Sequence, residues 1–173
     1  QRFVLLRYLH SLLKAIDLEV PSGLANPEIK NLSCDSREIE KGDLFLGLEG
    51  EKVDGGTYWE KAIERGACAA LISKNASFLK PPTNQDPVVI VPEPVSLFLG
   101  KLAADFWGKP SSEICLIGVT GTNGKTTTSF LIEFLTTSLG HPSALFGTLI
   151  NRWPNHEQIS EYTTTFAVPL QAQ

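Results

Sequence analysis

The chain has 173 residues, 42% of them hydrophobic, so it is long enough to bury a core and to form one or two domains. Its net charge of −4 and its pI of about 5.4 disfavour nucleic acid as the main partner, because binding to phosphate backbones needs basic patches. No apolar run approaches the roughly 20 residues that span a bilayer, so we expect no membrane-embedded segment.

The three cysteines are read as structural. Cys34, Cys68 and Cys115 lie too far apart for a zinc site and are odd in number for a disulfide framework. Each lies in an apolar or strand-like segment, so we expect three buried free thiols, in agreement with a reducing compartment.

The first predicted elements are a helix and a strand. Helical spacing of apolar residues is found at Leu5, Leu9, Leu12, Leu13 and Ile16. Pro and Gly then mark residues 21–27 as a loop. Residues 28–35 alternate enough to predict a strand, after which Ser36 and Arg37 stand at the strand end. Strand ends that face a groove are where α/β proteins place ligand contacts.

A second strand and a helix follow. Residues 43–48 are a short apolar run between glycines, which predicts a strand. Thr57 is expected as the N-cap of the next helix, with Glu60 completing a capping box. Gly66 is expected at the C′ position that ends this helix, and Trp59 is expected in the core.

Two more strands and a helix complete the first part of the chain. Residues 68–72 and 88–91 predict strands, and residues 74–87 predict a polar, Pro-rich connection between them. Apolar residues at helical spacing over 95–106 predict a closing helix, and residues 108–112 predict a linker. Alternating strands and helices favour an α/β sheet with helices packed on it.

The second part begins with an apolar strand-like run at 114–119 that ends in a glycine turn. A helix follows with an apolar face, which is formed by Leu131, Phe134, Leu135 and Leu139, and Gly140 ends it. Residues 143–149 predict the next strand, which would complete a right-handed βαβ unit. We therefore expect a mainly parallel sheet in this part, with residues 151–158 as a polar loop.

The order strand, glycine turn, helix is typical of a phosphate-binding site. The first N–H groups of a helix have no partner within the helix, and the helix dipole adds positive charge there. Gly121 and Gly124 let the backbone approach a phosphate closely. Lys125 can reach the β- and γ-phosphates, and the Thr126 hydroxyl can bind Mg²⁺. Val119 stands where the standard P-loop has glycine, which disfavours an ordinary kinase or GTPase.

The glycine turn resembles the ATP loop of the Mur ligase family; it reads Thr120-Gly121-Thr122-Asn123-Gly124-Lys125-Thr126-Thr127. Three earlier segments resemble parts of the uridine-binding domain of that family. They are Cys34-Asp35-Ser36-Arg37, Gly42-Asp43-Leu44-Phe45 and Gly50-Glu51-Lys52-Val53-Asp54-Gly55. The segment that holds the muramoyl part of the substrate resembles Glu161-Tyr162-Thr163-Thr164, although Tyr162 stands where the family usually has Asn.

The resemblance implies an ATP-dependent amide-bond ligase of peptidoglycan precursor synthesis, cytoplasmic and monomeric. Its implied cofactors are ATP and Mg²⁺. Its implied substrates are UDP-N-acetylmuramoyl-L-alanyl-D-glutamate and a diamino acid, either meso-diaminopimelate or lysine. The implied fold has a small α/β UDP-substrate-binding domain at 1–108 and the start of a P-loop-type ATP-binding domain at 109–173. We expect the chain to be a fragment that is inactive alone.

The resemblance also assigns the site residues. Lys125 is implied as the catalytic residue and Thr126 as the metal ligand. The implied ATP contacts are Gly121, Thr122, Asn123, Gly124, Lys125, Thr126 and Thr127. The implied substrate contacts are Ser36, Thr163 and Thr164, with further contacts at Cys34, Glu51, Lys52 and Val53.

Two alternatives share these motifs. Another amide ligase with the same loop, such as a folylpolyglutamate synthase-like enzyme, is disfavoured by the segment Asp35-Ser36-Arg37, which resembles the UDP-binding part of the muramoyl ligases. A non-catalytic homologue, of the kind that plant plastids use as an assembly partner in transcription complexes, stays open. Retention of Lys125 and Thr126 favours an enzyme but does not exclude this non-catalytic homologue.

Overall fold

The structure is a computed structural model that describes residues 7–50, 53–160 and 171. The helices of that part are α1 (Leu9–Ala15), α2 (Trp59–Arg65), α3 (Lys74–Leu79), α4 (Val95–Phe106) and α5 (Lys125–Ser138). The strands are β1 (Leu32–Ser33), β2 (Leu44–Leu46), β3 (Ala69–Ser73), β4 (Val88–Val91), β5 (Leu145–Phe146), β6 (Ile150–Trp153) and β7 (His156–Ile159). The α/β class predicted from the sequence is confirmed.

The first four strands form one parallel sheet in chain order. Leu44 of β2 pairs with both Leu32 of β1 and Ala69 of β3. Every residue of β3 is buried, as expected for a parallel strand that is covered on both faces. β4 lies at one edge of this sheet, and Pro87 and Pro92 flank it.

Each face of the parallel sheet has its own apolar core, because alternate strand residues point to opposite faces. Leu44, Leu46 and Leu71 pack with α1 and α4 on one face. Phe45 and Ile72 pack with α2 and α3 on the other. Complete burial of such a side chain contributes about 1.5–3 kcal/mol.

The predicted stripe of α1 is confirmed for the four residues that the structure describes, since Leu9, Leu12, Leu13 and Ile16 are all buried. Leu5 lies outside the described residues. The apolar side of α1 packs against the same face of the parallel sheet as α4.

The two ends of α2 differ in how well the sequence predicts them. Gly66 ends the helix in a left-handed conformation with φ of 117°, as predicted. The prediction that Thr57 caps its start is wrong. A single 3₁₀ turn, Gly55–Tyr58, precedes α2, and the side chain of Asp54 caps this turn by accepting from the Gly56 N–H at 2.9 Å.

The connection predicted at 74–87 is wrong for its first six residues, which form α3. The Ser73 hydroxyl caps this helix by accepting from the Ala76 N–H at 2.8 Å. A six-residue helix is too short to show a repeated apolar pattern, so the cap carries the only local signal. None of the helices in the described ranges has the length and apolar character needed to cross a membrane.

The second sheet is antiparallel, which corrects the predicted βαβ unit. β5 pairs with β6, and β6 pairs with β7. The predicted polar loop at 151–158 is wrong, because most of it forms the β6–β7 hairpin, which turns at Asn155 with φ of 66°. Trp153 stacks on Phe146 and His156, so an aromatic row holds this small sheet.

The predicted strand at 114–119 pairs with no other strand among the described residues. Ile114, Leu116 and Ile117 are each about 60% exposed there. The predicted apolar face of α5 is present, but it is 55–75% exposed; it consists of Leu131, Phe134, Leu135 and Leu139. Without a neighbouring described strand to bond its backbone, the run at 114–119 is not a strand of either sheet.

Candidate functional site

The glycine turn before α5 has the backbone geometry that its sequence predicts. Gly121 has φ of 146° and Gly124 has φ of 79°, both in the range that strains residues with a Cβ. Gly124 is the N-cap of α5, and no side chain caps this helix end. The first turn also contains no acidic residue. The positive end of a 14-residue helix is therefore open to an anion.

Lys125 folds back over the turn. Its Nζ donates to the Gly121 carbonyl at 2.5 Å and to the Thr122 carbonyl at 3.4 Å. No ion pair of the described residues includes Lys125. The ammonium group is thus held by the turn itself, where a bound phosphate would replace the two carbonyl oxygens as its partner.

Thr126 and Thr127 occupy the first turn of α5. Thr126 is half-buried and Thr127 is exposed. Within the described part of the chain, the Thr126 hydroxyl makes no hydrogen bond, so its oxygen is free to bind a cation. One hydroxyl suits Mg²⁺, which usually takes its other ligands from water and phosphate. No group of three or more potential metal ligands occurs in the residues that the structure covers.

The second predicted site lies at the carboxyl edge of the parallel sheet. The segment that leaves β1 is a tight turn, in which the Asp35 carboxylate accepts from the Arg37 backbone N–H at 2.8 Å and from its guanidinium at 2.6 Å. Ser36 is half-buried between them, and its hydroxyl makes no hydrogen bond to any described residue. The turn therefore presents a free hydroxyl at the edge where parallel strands place ligand contacts.

The Asp35 carboxyl is expected to titrate below its usual range. The hydrogen bonds from Arg37 lower the pKa of Asp35, and the charge of Arg65 adds a smaller effect. Because the folded pKa is lowered, any stability from this carboxylate is present at neutral pH and is lost only as the pH falls through that lowered pKa. Carboxyl ¹³C NMR should show a midpoint below that of an aspartate in an unfolded chain, and Arg37→Ala should raise it. An unchanged midpoint would contradict the assigned cause; Lys80→Ala is the control and should have no effect.

The cysteines are less uniform than predicted. Cys34 packs against the main core and Cys68 is half-buried, but Cys115 is exposed, so the prediction of three buried thiols is wrong for Cys115. Burial raises the pKa of the Cys34 thiol to about 12. This thiol therefore serves packing, and any substrate contact at Cys34 would come from its backbone.

Iodoacetamide at pH 8 should label Cys115 at least about 100-fold faster than Cys34. The thiolate is the form that reacts with iodoacetamide. Each unit by which the pKa of a thiol exceeds the solution pH lowers the thiolate fraction about tenfold. Peptide mass spectrometry of the 173-residue chain over time measures both rates. Equal rates in the folded chain would show that Cys34 is not buried; equal rates in urea are the expected control.

The remaining predicted contacts are only partly described. Val53 is exposed and closes a hairpin after β2, where the Gly50 N–H donates to its carbonyl at 3.1 Å. Four predicted contact residues lie outside the described part of the chain, namely Glu51, Lys52, Thr163 and Thr164.

Two residues at this edge were missed by sequence reasoning. The Asp54 carboxylate accepts a hydrogen bond from the buried Ser73 hydroxyl. The signal for Ser73 was available, since it stands directly after an apolar strand in a position typical of an N-cap. The bond between the two residues had no sequence signal, because 19 positions separate them.

Comparisons with known proteins match most of this chain. A family profile described as "Mur ligase family, catalytic domain" matches residues 28–107, from just before β1 to the end of α4. A relative from Prochlorococcus marinus (strain NATL2A), named UDP-N-acetylmuramoyl-L-alanyl-D-glutamate--2,6-diaminopimelate ligase, is 88% identical over 96% of this chain. A relative of the same name from Prochlorococcus marinus (strain MIT 9313) is 58% identical over 95% of the chain.

The chain spans about a third of the length of these relatives, 33% and 32% respectively. A solved structure of a ligase with the same printed name superposes with a TM-score of 0.63 at 22% identity, and the match covers 98% of this chain and 32% of that one. At that identity the superposition supports the fold alone. The family profile and the two relatives show that the chain contains a Mur ligase family domain.

Proposed function

We propose that this chain forms the nucleotide-sugar-binding and ATP-binding segments of a ligase that joins 2,6-diaminopimelate to UDP-N-acetylmuramoyl-L-alanyl-D-glutamate. The observation that carries the proposal is the uncapped amino end of α5, with the Lys125 amine held over the glycine turn. The choice of 2,6-diaminopimelate rests on the name of a relative that is 88% identical. We propose that this ligase acts in the cytoplasm as a monomer.

The proposed division into domains follows the two sheets. Residues 1–108 would form the UDP-substrate-binding domain, which contains the parallel sheet and the span of the family profile. Residues 109–173 would begin the ATP-binding domain, which contains the glycine turn, α5 and the antiparallel sheet.

The proposed chemistry needs charge neutralisation, since a carboxylate must attack an anionic γ-phosphate. The D-glutamate carboxylate oxygen would bond to the γ-phosphorus as ADP leaves, giving an acyl phosphate; the amine would then attack its carbonyl carbon and release phosphate. Lys125 and the first N–H groups of α5 would hold the phosphates and stabilise the developing negative charge. Thr126 would hold Mg²⁺, which neutralises phosphate charge when bound.

The proposed substrate contacts lie at the carboxyl edge of the parallel sheet. The free hydroxyl of Ser36 would donate to or accept from the UDP part, and Arg37 lies next to it. Val53 would line the same edge from the hairpin that follows β2. Glu51, Lys52, Thr163 and Thr164 stay proposed contacts on the resemblance alone.

An assay of the full-length protein tests this function. Phosphate release is measured with ATP, Mg²⁺, UDP-N-acetylmuramoyl-L-alanyl-D-glutamate and either 2,6-diaminopimelate or lysine. Release that requires both the nucleotide sugar and 2,6-diaminopimelate is expected. Release without the nucleotide sugar would indicate a generic ATPase instead, and no release with either amine would favour the non-catalytic assembly protein.

A further inference from the structure

The glycine turn depends on α5 for its position. Lys125 donates to carbonyls of the turn itself, and a Cβ added at Gly124 would meet nothing within 4 Å beyond its own helix and its chain neighbours. Among the described contacts, the turn is therefore placed by its continuity with α5, whose 14 residues form a rod of about 21 Å. Whatever fixes the direction of this helix also fixes where its anion-binding end stands.

Two polar contacts tie α5 to the residues that follow it. The apolar face of α5 is 55–75% exposed, so within the described part of the chain this face does not fix the helix. Instead, Glu133 in the middle of α5 bonds to Arg152 of β6. Near the end of the helix, the hydroxyls of Thr137 and Ser143 lie 2.9 Å apart.

Arg152 and Glu133 form a two-pronged ion pair. Nε of Arg152 donates to Oε1 of Glu133 at 2.7 Å, and its Nη2 donates to Oε2. The side chain of Glu133 is 14% exposed and that of Arg152 is 35% exposed, so salt and water screen this pair less than a surface pair. The guanidinium carbon also lies 5.7 Å from the ring centre of Phe130, about one turn earlier in α5. Contact with two successive turns through a planar fork fixes both the distance and the rotation of the helix.

Arg152 is itself held in the middle of the antiparallel sheet. Its strand, β6, lies between β5 and β7, and Arg152 is the register partner of Leu145 on one side and of Glu157 on the other. The Glu157 carboxylate accepts from Nη1 of Arg152 at 3.2 Å. Loss of the guanidinium would leave the largely buried Glu133 carboxylate unpaired, with a second carboxylate close by. Like charge and lost solvation would then drive α5 away from the sheet.

We propose that Arg152 is a positioning residue of the ATP site, whose ion pair with Glu133 sets the orientation of α5 and thereby the place of the glycine turn and Lys125. This inference rests on the proposed function, because it concerns the ATP site of that ligase. Arg152 does not touch ATP; it acts through α5.

Steady-state kinetics of the full-length protein test this role. Arg152→Ala should raise the KM for ATP at least about 10-fold, while the KM for the nucleotide sugar stays within about threefold. A smaller folded fraction alone would lower kcat and leave the KM for ATP unchanged. Arg152→Lys keeps the charge but loses the two-pronged contact, so it should give a smaller rise, which keeps the test open if Arg152→Ala folds poorly. Calorimetric titration with ADP and Mg²⁺ measures the same loss of affinity without turnover.

A charge swap separates positioning from direct contact with the nucleotide. Arg152→Glu alone should weaken ADP binding, and Glu133→Arg in the same chain should recover at least about fivefold of the affinity, because the ion pair is restored with its charges exchanged. If the Arg152 side chain bound phosphate itself, Arg152→Glu would repel the nucleotide, and Glu133→Arg would restore nothing.

Glu157→Gln is the matched control. The Glu157 side chain is 55% exposed and contacts Arg152 at 3.2 Å, and its replacement leaves the ion pair with Glu133 in place. The KM for ATP should change less than about twofold.

Two results would overturn the inference. One is an unchanged KM for ATP and an unchanged ADP affinity in Arg152→Ala, and the other is no recovery in the charge swap. A wild-type protein that binds ADP but releases no phosphate in response to the nucleotide sugar would instead overturn the proposed ligase reaction. No binding of ADP by the wild-type protein would overturn the ATP site on which both proposals rest.

Discussion

Replacement of Lys125 by alanine should lower the rate of nucleotide-sugar-dependent phosphate release at least about 100-fold, the loss typical of removing a group that stabilises transition-state charge. The Nζ contacts only the Gly121 and Thr122 carbonyls among the described residues, so its removal should leave the fold unchanged. Lys125→Arg should not restore the rate, since a planar guanidinium cannot replace a compact ammonium at a tight turn. Single-turnover phosphate release measures the effect.

Lys101→Ala is the control for lost positive charge. Lys101 is a half-exposed residue that pairs with Asp17 at 2.9 Å on the first part of the chain, and its replacement should change the rate less than about twofold. A Lys125→Ala variant that kept the wild-type rate would remove the proposed role of that amine.

Replacement of Gly47 by alanine should destabilise the 173-residue chain by about 3 kcal/mol, the upper end of the usual cost of overpacking. The new Cβ would lie 2.4 Å from the Cα and 2.9 Å from the N of Gly56, and neither backbone atom can rotate away. Relief requires movement of the hairpin or loss of the hydrogen bond from the Gly47 N–H to the Leu71 carbonyl, which measures 2.8 Å. Urea unfolding followed by far-UV circular dichroism measures the change.

Gly118→Ala is the matched control for this substitution. A Cβ at Gly118 would meet nothing within 4 Å, and its φ is not in the left-handed range. The free energy of unfolding should stay the same or rise by about 0.4–1 kcal/mol through lower entropy of the unfolded chain. A loss below about 1 kcal/mol for Gly47→Ala would contradict the close contact.

The first part of the fold was predictable because its signals are local and repeated. β3 and β4 are short apolar runs, α4 repeats its apolar residues over three turns, and Gly66 marks a helix end. α3 was missed because it is too short to repeat a pattern. The β6–β7 hairpin was missed because β7 has all four residues exposed, so it shows no alternation.

The candidate sites were predictable to different degrees. Gly121, Gly124 and Lys125 are adjacent in the chain, so their spacing alone predicts an anion site. Asp54 and Ser73 meet only through the sheet, and no sequence pattern links them. The apolar face of α5 was predicted, but periodicity cannot say whether such a face is covered.

Pro87 and Pro92, which flank β4, affect how this molecule meets copies of itself. An outermost strand offers N–H and C=O groups to which another polypeptide can add, and this is a common route to fibrils. Proline lacks an N–H and cannot extend such a ladder. Only the four residues from Val88 to Val91 are therefore left to pair with a strand of another chain. On its β4 side, the described sheet thus offers a short stretch for such pairing, which disfavours growth of fibrils from that side.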